Sequence, residues 1–566
     1  MMSAPQTLKD LAKALSLANL CFIGAWTELL TLSPRLEVRY GVYSYNKYVA
    51  IVINVVLLTA VFWGVVVVIR RSGNIFLLRL GRFGLLMLLL FGLNRVIQHP
   101  LPGFSLEGIF DMLNRAELAV FATAALALCF GAIRNWRYAS TVAGSLVPFA
   151  LFGKASLLAV GVMTVAVFWA VRKPGAIVKA APVAVMALFP FSLMTLFQTS
   201  LLLTKFGEKR PAPPVSRAVE PSRRVVWLLF DEMDFRLSFS ERPAALSLPE
   251  FDRLRGQAIF ATNAYPPANY TLVSMPALIT GRILSAAVPV SPSKVLITYA
   301  DSGETVDWST QPNVFSRAGE AGFKSAIVGW YHPYCRIIGD SLKKCSCDDF
   351  GRITVAEAMA EQLRKLGGVL PFAAHYDLFD EKGSVKKRER KGHLRDYLGI
   401  LEEAKKATTD TDLNLVLVHM PVPHAPSIYN RHEKRFELEA ETGYLDSLAL
   451  ADRALGELRQ AMEGAGTWDD TTILVTADHW LRFNESGERA DTEITSKPDD
   501  RVPFLVKLAG QKGGVAYAQE FNNVILHDLI LEVLKTGISE PSGVMQWMDR
   551  NRLTARPLKL RATESE

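Results

Sequence analysis

The sequence has few cysteines and few histidines: five and nine, respectively, in 566 residues. Five cysteines exclude a small scaffold held together mainly by disulfides. The sequence also lacks a large excess of charge of either sign, because it has 63 basic and 56 acidic residues. The basic clusters, residues 386–391 and 550–561, contain no aromatic side chains between the charges, so the sequence does not indicate a nucleic-acid partner. Contact with anionic lipid headgroups is the alternative to a solvated surface for both clusters.

Charged residues are missing from long stretches of the first 205 residues, which contain one histidine, His99. A membrane-crossing helix needs about 20 apolar residues, and its backbone must satisfy its own hydrogen bonds. Residues 1–205 are therefore predicted to form a transmembrane domain of about seven helices. Residues 139–171, interrupted by Lys154, fit two short helices or one long one. The candidate spans are residues 14–33, 48–69, 83–97, 117–133, 139–153, 155–171 and 181–203.

The basic residues between these spans predict an orientation, since cytoplasmic loops carry the excess of Lys and Arg. Seven crossings would place the clusters around residues 9–13, 70–82, 134–137 and 172–179 on the cytoplasmic side. The remainder of the chain would then face the periplasm or the exterior. Six crossings would leave it in the cytoplasm. The charge pattern favours seven crossings.

The pattern changes after residue 205. Residues 206–224 predict an extended Pro-rich linker, residues 225–545 a soluble domain, and residues 546–566 a basic tail. Apolar runs of strand length alternate with helical patterns, which predicts an α/β fold with a mostly parallel sheet flanked by helices. The strand candidates are 225–230, 325–329, 413–418, 472–477 and 502–507, and the helix candidates are 312–321, 354–366, 394–406, 442–463 and 520–535.

Acidic and imidazole side chains follow several of these strands. Asp231 and Glu232 end the first strand, and Asp478 with His479 ends another. Ligands of parallel sheets collect at the carboxyl ends of the strands, so these side chains are expected to converge. Neighbouring carboxylates repel unless a cation lies between them. The residues predict a divalent metal, zinc or manganese first and calcium or magnesium next.

Thr271 is the candidate nucleophile, because a divalent cation bound to its hydroxyl would stabilise the alkoxide. The segment after it is predicted to begin a helix whose N-terminus faces an anion. Two alternatives remain from the residues alone. Thr271 could be only a helix cap, and Ser274 could carry the reactive hydroxyl.

Three further histidines are candidates for substrate phosphate, proton donation or a second metal. His424 lies between two prolines that restrict its backbone, and His419 and His332 follow strand candidates. The cluster of Cys335, Cys345 and Cys347 has three interpretations. Cys335 could form a disulfide with either of the others, all three could be free thiols, or they could bind zinc with His332.

Together these segments resemble the alkaline phosphatase/sulfatase superfamily over about residues 224–540. The run from Thr271 to Pro276 is similar to the nucleophile segment of bacterial phosphoethanolamine transferases, and residues 278–282 resemble the end of the sulfatase signature. Membrane helices before an external catalytic domain are similar to those transferases and to lipoteichoic acid synthases. The resemblance implies a metal at Asp231, Thr271, Asp478 and His479, and substrate phosphate at His424.

The sequence departs from the transferase pattern after the Asp-His pair. No further histidine lies between His479 and the strand near residue 502, and we identify Lys497 and Arg501 as candidate replacements. Thr271 stands where sulfatases have Cys or Ser, so conversion to formylglycine is excluded. Asp231 stands where transferases usually have Glu.

The resemblance implies an enzyme of the bacterial inner membrane. It would move a phospho-headgroup, of phosphoethanolamine or phosphoglycerol type, from a phospholipid donor to an envelope glycan or lipid acceptor through a phosphothreonine. A membrane-tethered phosphodiesterase or phosphatase is the first alternative. A catalytically silent scaffold in envelope polysaccharide assembly is the second.

Overall fold

The computed structural model describes residues 4–22, 25–26, 29, 45–72, 185–205, 223–291, 293–347, 353–367, 381–439, 442–482, 494 and 499–559. The chain divides into two compact units. We call Met1–Thr31, Tyr45–Gly207 and Thr354–Asp380 the N-terminal unit, and Leu32–Ser44, Glu208–Ile353 and Glu381–Glu566 the sheet unit.

The regular elements are numbered in chain order. The helices of the described residues are α1 (Ala4–Cys21), α2 (Tyr45–Ser72), α3 (Phe189–Lys205), α4 (Pro249–Arg255), α5 (Thr271–Thr280), α6 (Val314–Glu320), α7 (Tyr334–Ile337), α8 (Val355–Gly367), α9 (Glu381–Thr409), α10 (Tyr444–Gly464), α11 (Leu526–Thr536) and α12 (Pro541–Asn551). The strands are β1 (Arg224–Phe230), β2 (Ile259–Ala261), β3 (Ala264–Tyr265), β4 (Leu284–Ser291), β5 (Lys294–Tyr299), β6 (Thr305–Asp307), β7 (Ser325–Gly329), β8 (Lys344–Ser346), β9 (Leu415–Met420), β10 (Tyr429–Asn430), β11 (Arg435–Phe436), β12 (Thr471–Thr476), β13 (Phe504–Lys507), β14 (Val515–Tyr517) and β15 (Phe521–Asn522).

The N-terminal unit contains one helix, among the described residues, that is long and apolar enough to cross a membrane. This is α2, over Asn46–Ser72. The predicted spans 83–97, 117–133, 139–153 and 155–171 lie outside the described residues. The prediction of about seven spans is therefore not confirmed, and the first described helix begins earlier than predicted, at Ala4.

Polar contacts join the helices of this unit. Arg70 Nη2, near the end of α2, lies 2.8 Å from Asp10 Oδ1 near the start of α1, so the two helices run antiparallel. Thr195 Oγ1 of α3 donates to Asn19 Oδ1 of α1 across 3.2 Å. Asp10, Asn19 and Thr195 are all buried. The unit thus buries polar groups in pairs between its helices.

The sheet unit contains an eight-stranded sheet in the order β14-β2-β13-β12-β1-β9-β7-β8. The run from β12 through β1, β9 and β7 to β8 is parallel throughout. β13 pairs antiparallel with β12 and with β2. The predicted mostly parallel α/β fold is confirmed, and the strand predicted at 502–507 forms but is antiparallel to its neighbours.

The central strands are buried on both faces. Along β1, Val225 and Trp227 belong to one hydrophobic core and Val226 and Leu228 to the other. The sequence of a strand that is covered on both faces is a continuous apolar run, without alternation of apolar and polar residues. This explains why β1 was recognisable in the sequence.

Several elements differ from the sequence prediction. The segment predicted as one helix at 520–535 begins with the short strand β15 and a 3-10 turn, where the Asn522 side chain accepts from the amide of Val524. The three-stranded sheet β4-β5-β6 carries a mixed exposed and buried pattern and was not predicted. Helix α8, predicted among the helices flanking the sheet, belongs to the N-terminal unit. The predicted tail boundary at residue 545 falls inside α12, which buries Trp547.

Candidate functional site

The parallel strands deliver the candidate ligands to one edge of the sheet. Asp231 follows β1 directly, and Asp478 and His479 come shortly after the end of β12, which pairs with β1 on one side. His419 lies in β9, which pairs with β1 on the other side, opposite Leu229. Because the three strands are parallel neighbours, their carboxyl ends meet at the same edge, as the sequence predicted.

Helix α5 brings the hydroxyl of Thr271 to this edge. Thr271 is its first residue, preceded by Tyr270 in an extended conformation. The hydroxyl of Ser274 donates to the carbonyl of Ala268 (2.9 Å) and accepts from the amide of the same residue (3.1 Å). Ser274 is therefore occupied in holding the loop before the helix. Thr271, not Ser274, presents its hydroxyl to the site.

The side chain of Thr271 lies among the predicted ligands. Its Oγ1 is 3.4 Å from Asp231 Oδ1, 3.5 Å from Asp231 Oδ2 and 3.3 Å from His479 Nε2. His479 Nε2 is 3.5 Å from Asp231 Oδ1 and 3.6 Å from Asp478 Oδ2. We call these four residues the donor cluster. All four are buried, with Thr271 the most exposed at 3%.

The hydrogen bonds of His479 fix which of its nitrogens can bind a cation. Its Nδ1 lies 2.9 Å from the backbone carbonyl of Trp480. A carbonyl only accepts, so Nδ1 carries the proton and donates. Burial lowers the pKa of His479 to about 3. The ring is therefore neutral near pH 7, with the lone pair of Nε2 directed into the donor cluster.

His419 lies at the margin of the donor cluster. Its Nε2 is 3.6 Å from Asp231 Oδ2, and its Nδ1 is 2.9 Å from the hydroxyl of Tyr334. Burial lowers the pKa of His419 to about 4. Gly329 on β7 makes room for this ring, because a Cβ there would lie 2.9 Å from the Cβ of His419.

The donor cluster fits a divalent cation. Burial, followed by the neighbouring Asp478, raises the pKa of Asp231 well above its usual value. Asp478 Oδ2 and His419 Nε2 are buried without a hydrogen-bond partner among the described residues. Donor atoms that share one tetrahedral zinc at about 2.1 Å lie about 3.4 Å apart. The separations of 3.3–3.6 Å in the cluster match that spacing.

A second cluster lies beside the first, around Glu232. Its carboxylate accepts from the backbone amide (3.1 Å) and Nε (3.3 Å) of Arg482. His424 Nε2 is 4.0 Å from its other oxygen, and the Arg482 guanidinium lies 4.3 Å from the centre of the Tyr270 ring. We call Glu232, Arg482 and His424 the guanidinium cluster. Burial acts to raise the pKa of Glu232, but Arg482 and then His424 lower it below its usual value.

The backbone of Glu232 joins the two clusters. Its φ of +64° is in the left-handed region, which a residue with a side chain rarely adopts. Its amide donates to Asp478 Oδ1 (3.1 Å), and its carbonyl accepts from the hydroxyl of Tyr444 (2.7 Å). Strained backbone is often found at functional sites, where surrounding contacts hold it. Here those contacts direct Asp231 and Glu232 to different clusters.

The remaining candidates are placed in different ways. His332 Nε2 donates to the carbonyl of Thr271 (3.2 Å), so it contacts the backbone of Thr271 and not its hydroxyl. The guanidinium of Arg501 bonds to Asp499 and to the carbonyl of Thr262, and no contact joins it to either cluster within the described part of the chain. Lys497 lies outside the described residues.

The structure distinguishes between the interpretations of the cysteines. Cys335 and Cys345 form a disulfide, and the backbone amide of Cys335 donates to the sulfur of Cys347. His332 turns toward Thr271 instead of toward these sulfurs. The structure therefore contains the predicted disulfide and does not form the alternative zinc site.

Sequence reasoning missed three residues of the site. Arg482 follows the Asp-His pair by three positions and could have been found by asking which cation offsets Glu232. Tyr334 and Tyr444 act through hydroxyl contacts with residues more than 80 positions away in sequence. No local pattern identifies such contacts.

Comparison with known proteins identifies the sheet unit. Residues 223–536 match the family model named Sulfatase. No curated protein matches the chain by sequence.

Solved structures with some similarity include three enzymes. The lipoteichoic acid synthase LtaP from Listeria monocytogenes has 12% identity, covers 56% of this chain and 74% of its own, and gives a TM-score of 0.36. The phosphonate monoester hydrolase of Agrobacterium radiobacter has 13% identity, with coverage of 55% and 73% and a TM-score of 0.35. The PsFucS1 sulfatase from Pseudoalteromonas sp. has 14% identity, with coverage of 56% and 68% and a TM-score of 0.37. Similarities at this level decide nothing about the chemistry.

Proposed function

We propose that this chain, which belongs to the sulfatase family, transfers a phospho-headgroup from a phospholipid to an envelope glycan or lipid acceptor. The headgroup would be of phosphoethanolamine or phosphoglycerol type. Between its release from the donor and its transfer to the acceptor it would be bound to Thr271 as a phosphothreonine. The observation that carries the proposal is the position of Thr271 Oγ1, within 3.3–3.5 Å of Asp231 and His479.

The side chains that would hold the cation are those of the donor cluster, with His419 next to them. A divalent cation bound there would supply Lewis acidity, stabilising the alkoxide of Thr271 and an oxygen of the phosphoryl group. The carboxylate of Asp231 accepts the hydrogen bond of the Thr271 hydroxyl. The hydroxyl is thereby oriented with its oxygen in the cluster.

The reaction consists of two displacements at phosphorus. In the first, the bond from Thr271 Oγ1 to phosphorus forms and the bond from phosphorus to the diacylglycerol oxygen breaks. The proton of the Thr271 hydroxyl ends on the oxygen of the released diacylglycerol. His424 is the candidate to pass it on: its Nδ1 donates to the carbonyl of Ala425, which leaves Nε2 as the proton acceptor, and 19% of its side chain is exposed. In the second, the bond from an acceptor oxygen to phosphorus forms, the bond from phosphorus to Thr271 Oγ1 breaks, and the proton of the acceptor hydroxyl returns to the threonine oxygen.

The residue at the nucleophile position argues against sulfate ester hydrolysis by the formylglycine route. Oxidation of a cysteine or serine side chain gives an aldehyde, whereas the secondary alcohol of Thr271 could give only a ketone. A threonine that stays an alcohol suits phosphoryl transfer through an ester intermediate.

The lipid nature of the donor is supported by the surface of the N-terminal unit. Large hydrophobic side chains on its helices are strongly exposed, including Val61 (58%) and Val68 (65%) on α2 and Phe197 (63%) on α3. Exposed apolar side chains in this number are expected against lipid and are rare in soluble proteins. A site on the same chain would meet phospholipid at high local concentration.

The proposal is tested by incubating the purified full-length protein with phospholipid labelled in the headgroup phosphate. We expect diacylglycerol release and label on Thr271. Thr271→Ala should carry no label, and Thr271→Ser should keep part of it. Thr280→Ala is the matched control, because Thr280 ends the same helix and its hydroxyl bonds the carbonyls of Pro276 and Ala277 within that helix.

The other outcomes distinguish the alternatives. Label that reaches only water, in the presence of envelope extract, supports the phosphodiesterase or phosphatase. A protein that binds metal yet neither releases diacylglycerol nor acquires label supports the silent scaffold. Either result overturns the transferase proposal.

A further inference from the structure

Helix α8 occupies an unexpected place, because it interrupts the sequence of the sheet unit yet packs on the helix suited to cross a membrane. Asn54 Nδ2 of α2 donates to Gln362 Oε1 (3.0 Å) and to the carbonyl of Met359 (3.2 Å). Gln362 Nε2 donates in return to the carbonyl of Lys47 (2.9 Å). Both amide side chains are buried. The contact is a paired hydrogen-bonded junction between the two helices.

The junction lies at one end of α2. Arg70 and Arg71 end the helix, whereas Lys47 and Asn54 belong to its first third. The 27 residues of Asn46–Ser72 span about 40 Å at 1.5 Å per residue, more than the roughly 30 Å hydrocarbon core. Placing Arg70 and Arg71 in the headgroup layer at one end puts the beginning of α2 in the headgroup layer at the other. The junction is within about 12 Å of that end.

The side chains of α8 are divided between two faces. Ala358 and Gln362 are buried in the junction, while Ala356, Ala360 and Leu363 are exposed. Spacings of four and three residues place these last three on one side of the helix. Leu363 is 48% exposed. Glu357 and Glu361 are half-buried and lie between this side and the junction, and Arg364, four residues after Ala360, is exposed next to it.

We propose that α8 lies in the interfacial layer of the bilayer that α2 enters, with Leu363 and its two alanines toward the acyl chains. The partner is a phospholipid bilayer. Exposed apolar side chains on α2 just past the junction, Val56 (56%) and Leu57 (53%), continue the apolar surface into the same layer. An interfacial helix buries its apolar face about 5–10 Å below the headgroups.

This placement attaches the catalytic sequence to the membrane at a second point, in addition to the linker at 206–224. The placement of α8 goes beyond the proposed function, since it does not depend on which reaction the site performs. A chain held at two points has fewer orientations at the surface than a chain held at one.

The chain offers a matched pair of leucines for the test. Leu363 on α8 and Leu398 on α9 are exposed to nearly the same extent, 48% and 45%, but only the first belongs to the N-terminal unit. Each is changed to Cys for a nitroxide label, in a full-length background with Cys21, Cys129 and Cys347 replaced by Ser. The protein is reconstituted in phospholipid nanodiscs, and collisions with oxygen and with a water-soluble nickel chelate are measured.

We expect the label at 363 to collide several-fold more with oxygen than with the chelate, and the label at 398 to show the reverse. A label at 363 that is as accessible to the chelate as the label at 398 overturns the proposal. Hydrogen exchange of the unsubstituted chain provides a second measurement. Amides of residues 355–367 should exchange about tenfold more slowly in nanodiscs than in detergent, with residues 394–406 unchanged, and equal rates in both media also overturn it.

Discussion

The two clusters at the carboxyl edge of the sheet contain similar residues but balance their charges differently. In the guanidinium cluster, Arg482 offsets Glu232 through two hydrogen bonds. In the donor cluster, Asp231 and Asp478 lie close together. Among the described residues no lysine or arginine bonds to either of them, and Asp478 Oδ2 has no hydrogen-bond partner. The carboxylate of Glu232 is balanced by a protein side chain, whereas a divalent cation would balance Asp231 and Asp478.

From this difference we expect one divalent cation, in the donor cluster. An arginine cannot lose its proton in a protein, so it is a permanent positive charge at a fixed place. A cation bound in the donor cluster would be open to exchange or chelation, whereas the guanidinium of Arg482 is not. Metal removal should therefore empty one cluster and leave the other intact.

The largest effect is expected from breaking the donor cluster while sparing its neighbour. Asp478→Asn should lower turnover at least about 10³-fold and lower bound metal from one equivalent to near zero. Glu232→Gln makes the same chemical change in the guanidinium cluster and should keep one equivalent. Metal analysis of both variants by mass spectrometry checks this, and equal metal loss in the two would remove the distinction between the clusters.

The next effect concerns Arg482. Arg482→Ala should lower kcat/KM by about 10²-fold with metal content unchanged, since it removes a fixed positive charge next to the phosphate position. Arg482→Lys keeps the charge without the planar fork and should be intermediate. Loss of metal from Arg482→Ala would show that the clusters are not independent.

A smaller effect is expected from Tyr334→Phe. The hydroxyl of Tyr334 orients the ring of His419, whose Nε2 faces Asp231. Its removal should weaken metal affinity about tenfold, as for other groups that orient a ligand. Competition with a chelator measures this, and Tyr299→Phe, in the same unit but bonded to Gln311, is the control. Unchanged affinity would place His419 outside the metal site.

The smallest effect is a pH dependence of stability, and it comes from Asp452, a buried carboxylate outside both clusters. Asp452 Oδ1 accepts from the amides of Glu250 (3.0 Å) and Phe251 (2.9 Å), and burial raises its pKa to about 7. A pKa raised in the folded state gives stability that is present at low pH and lost as pH rises toward 7.

Asp452→Asn cannot ionise, so the stability of the natural protein relative to this variant should fall between about pH 4 and 7. The slope is at most about 1.4 kcal/mol per pH unit. Melting temperatures of both proteins with and without chelator measure it. A difference that does not change with pH, or that appears only after chelation, would contradict this assignment.

The sequence was most informative where a strand is buried on both faces and ends in a polar residue. This is why Asp231, Asp478 and His479 could be placed together before their distances were known. Thr271 could also be chosen as the candidate nucleophile, although only the hydrogen bonds of Ser274 to Ala268 show that the Ser274 hydroxyl is turned away from the site.

The rest depended on contacts between residues far apart in the chain. Arg501 is close in sequence to the site but bonds to Asp499, whereas Arg482 forms the cluster because Glu232 adopts a left-handed backbone conformation. Helix α8 has a pattern consistent with either packing on the sheet or packing on a membrane helix. The hydrogen bonds that join α8 to α2 decide between them.

Anomalous diffraction from the metal-loaded protein tests the central claim most directly. One peak should appear within about 2.0–2.6 Å of Thr271 Oγ1, an Asp231 oxygen, an Asp478 oxygen and His479 Nε2, with none in the guanidinium cluster. A peak bound by Glu232 and His424 instead, or no peak near Thr271 in active protein, would contradict it.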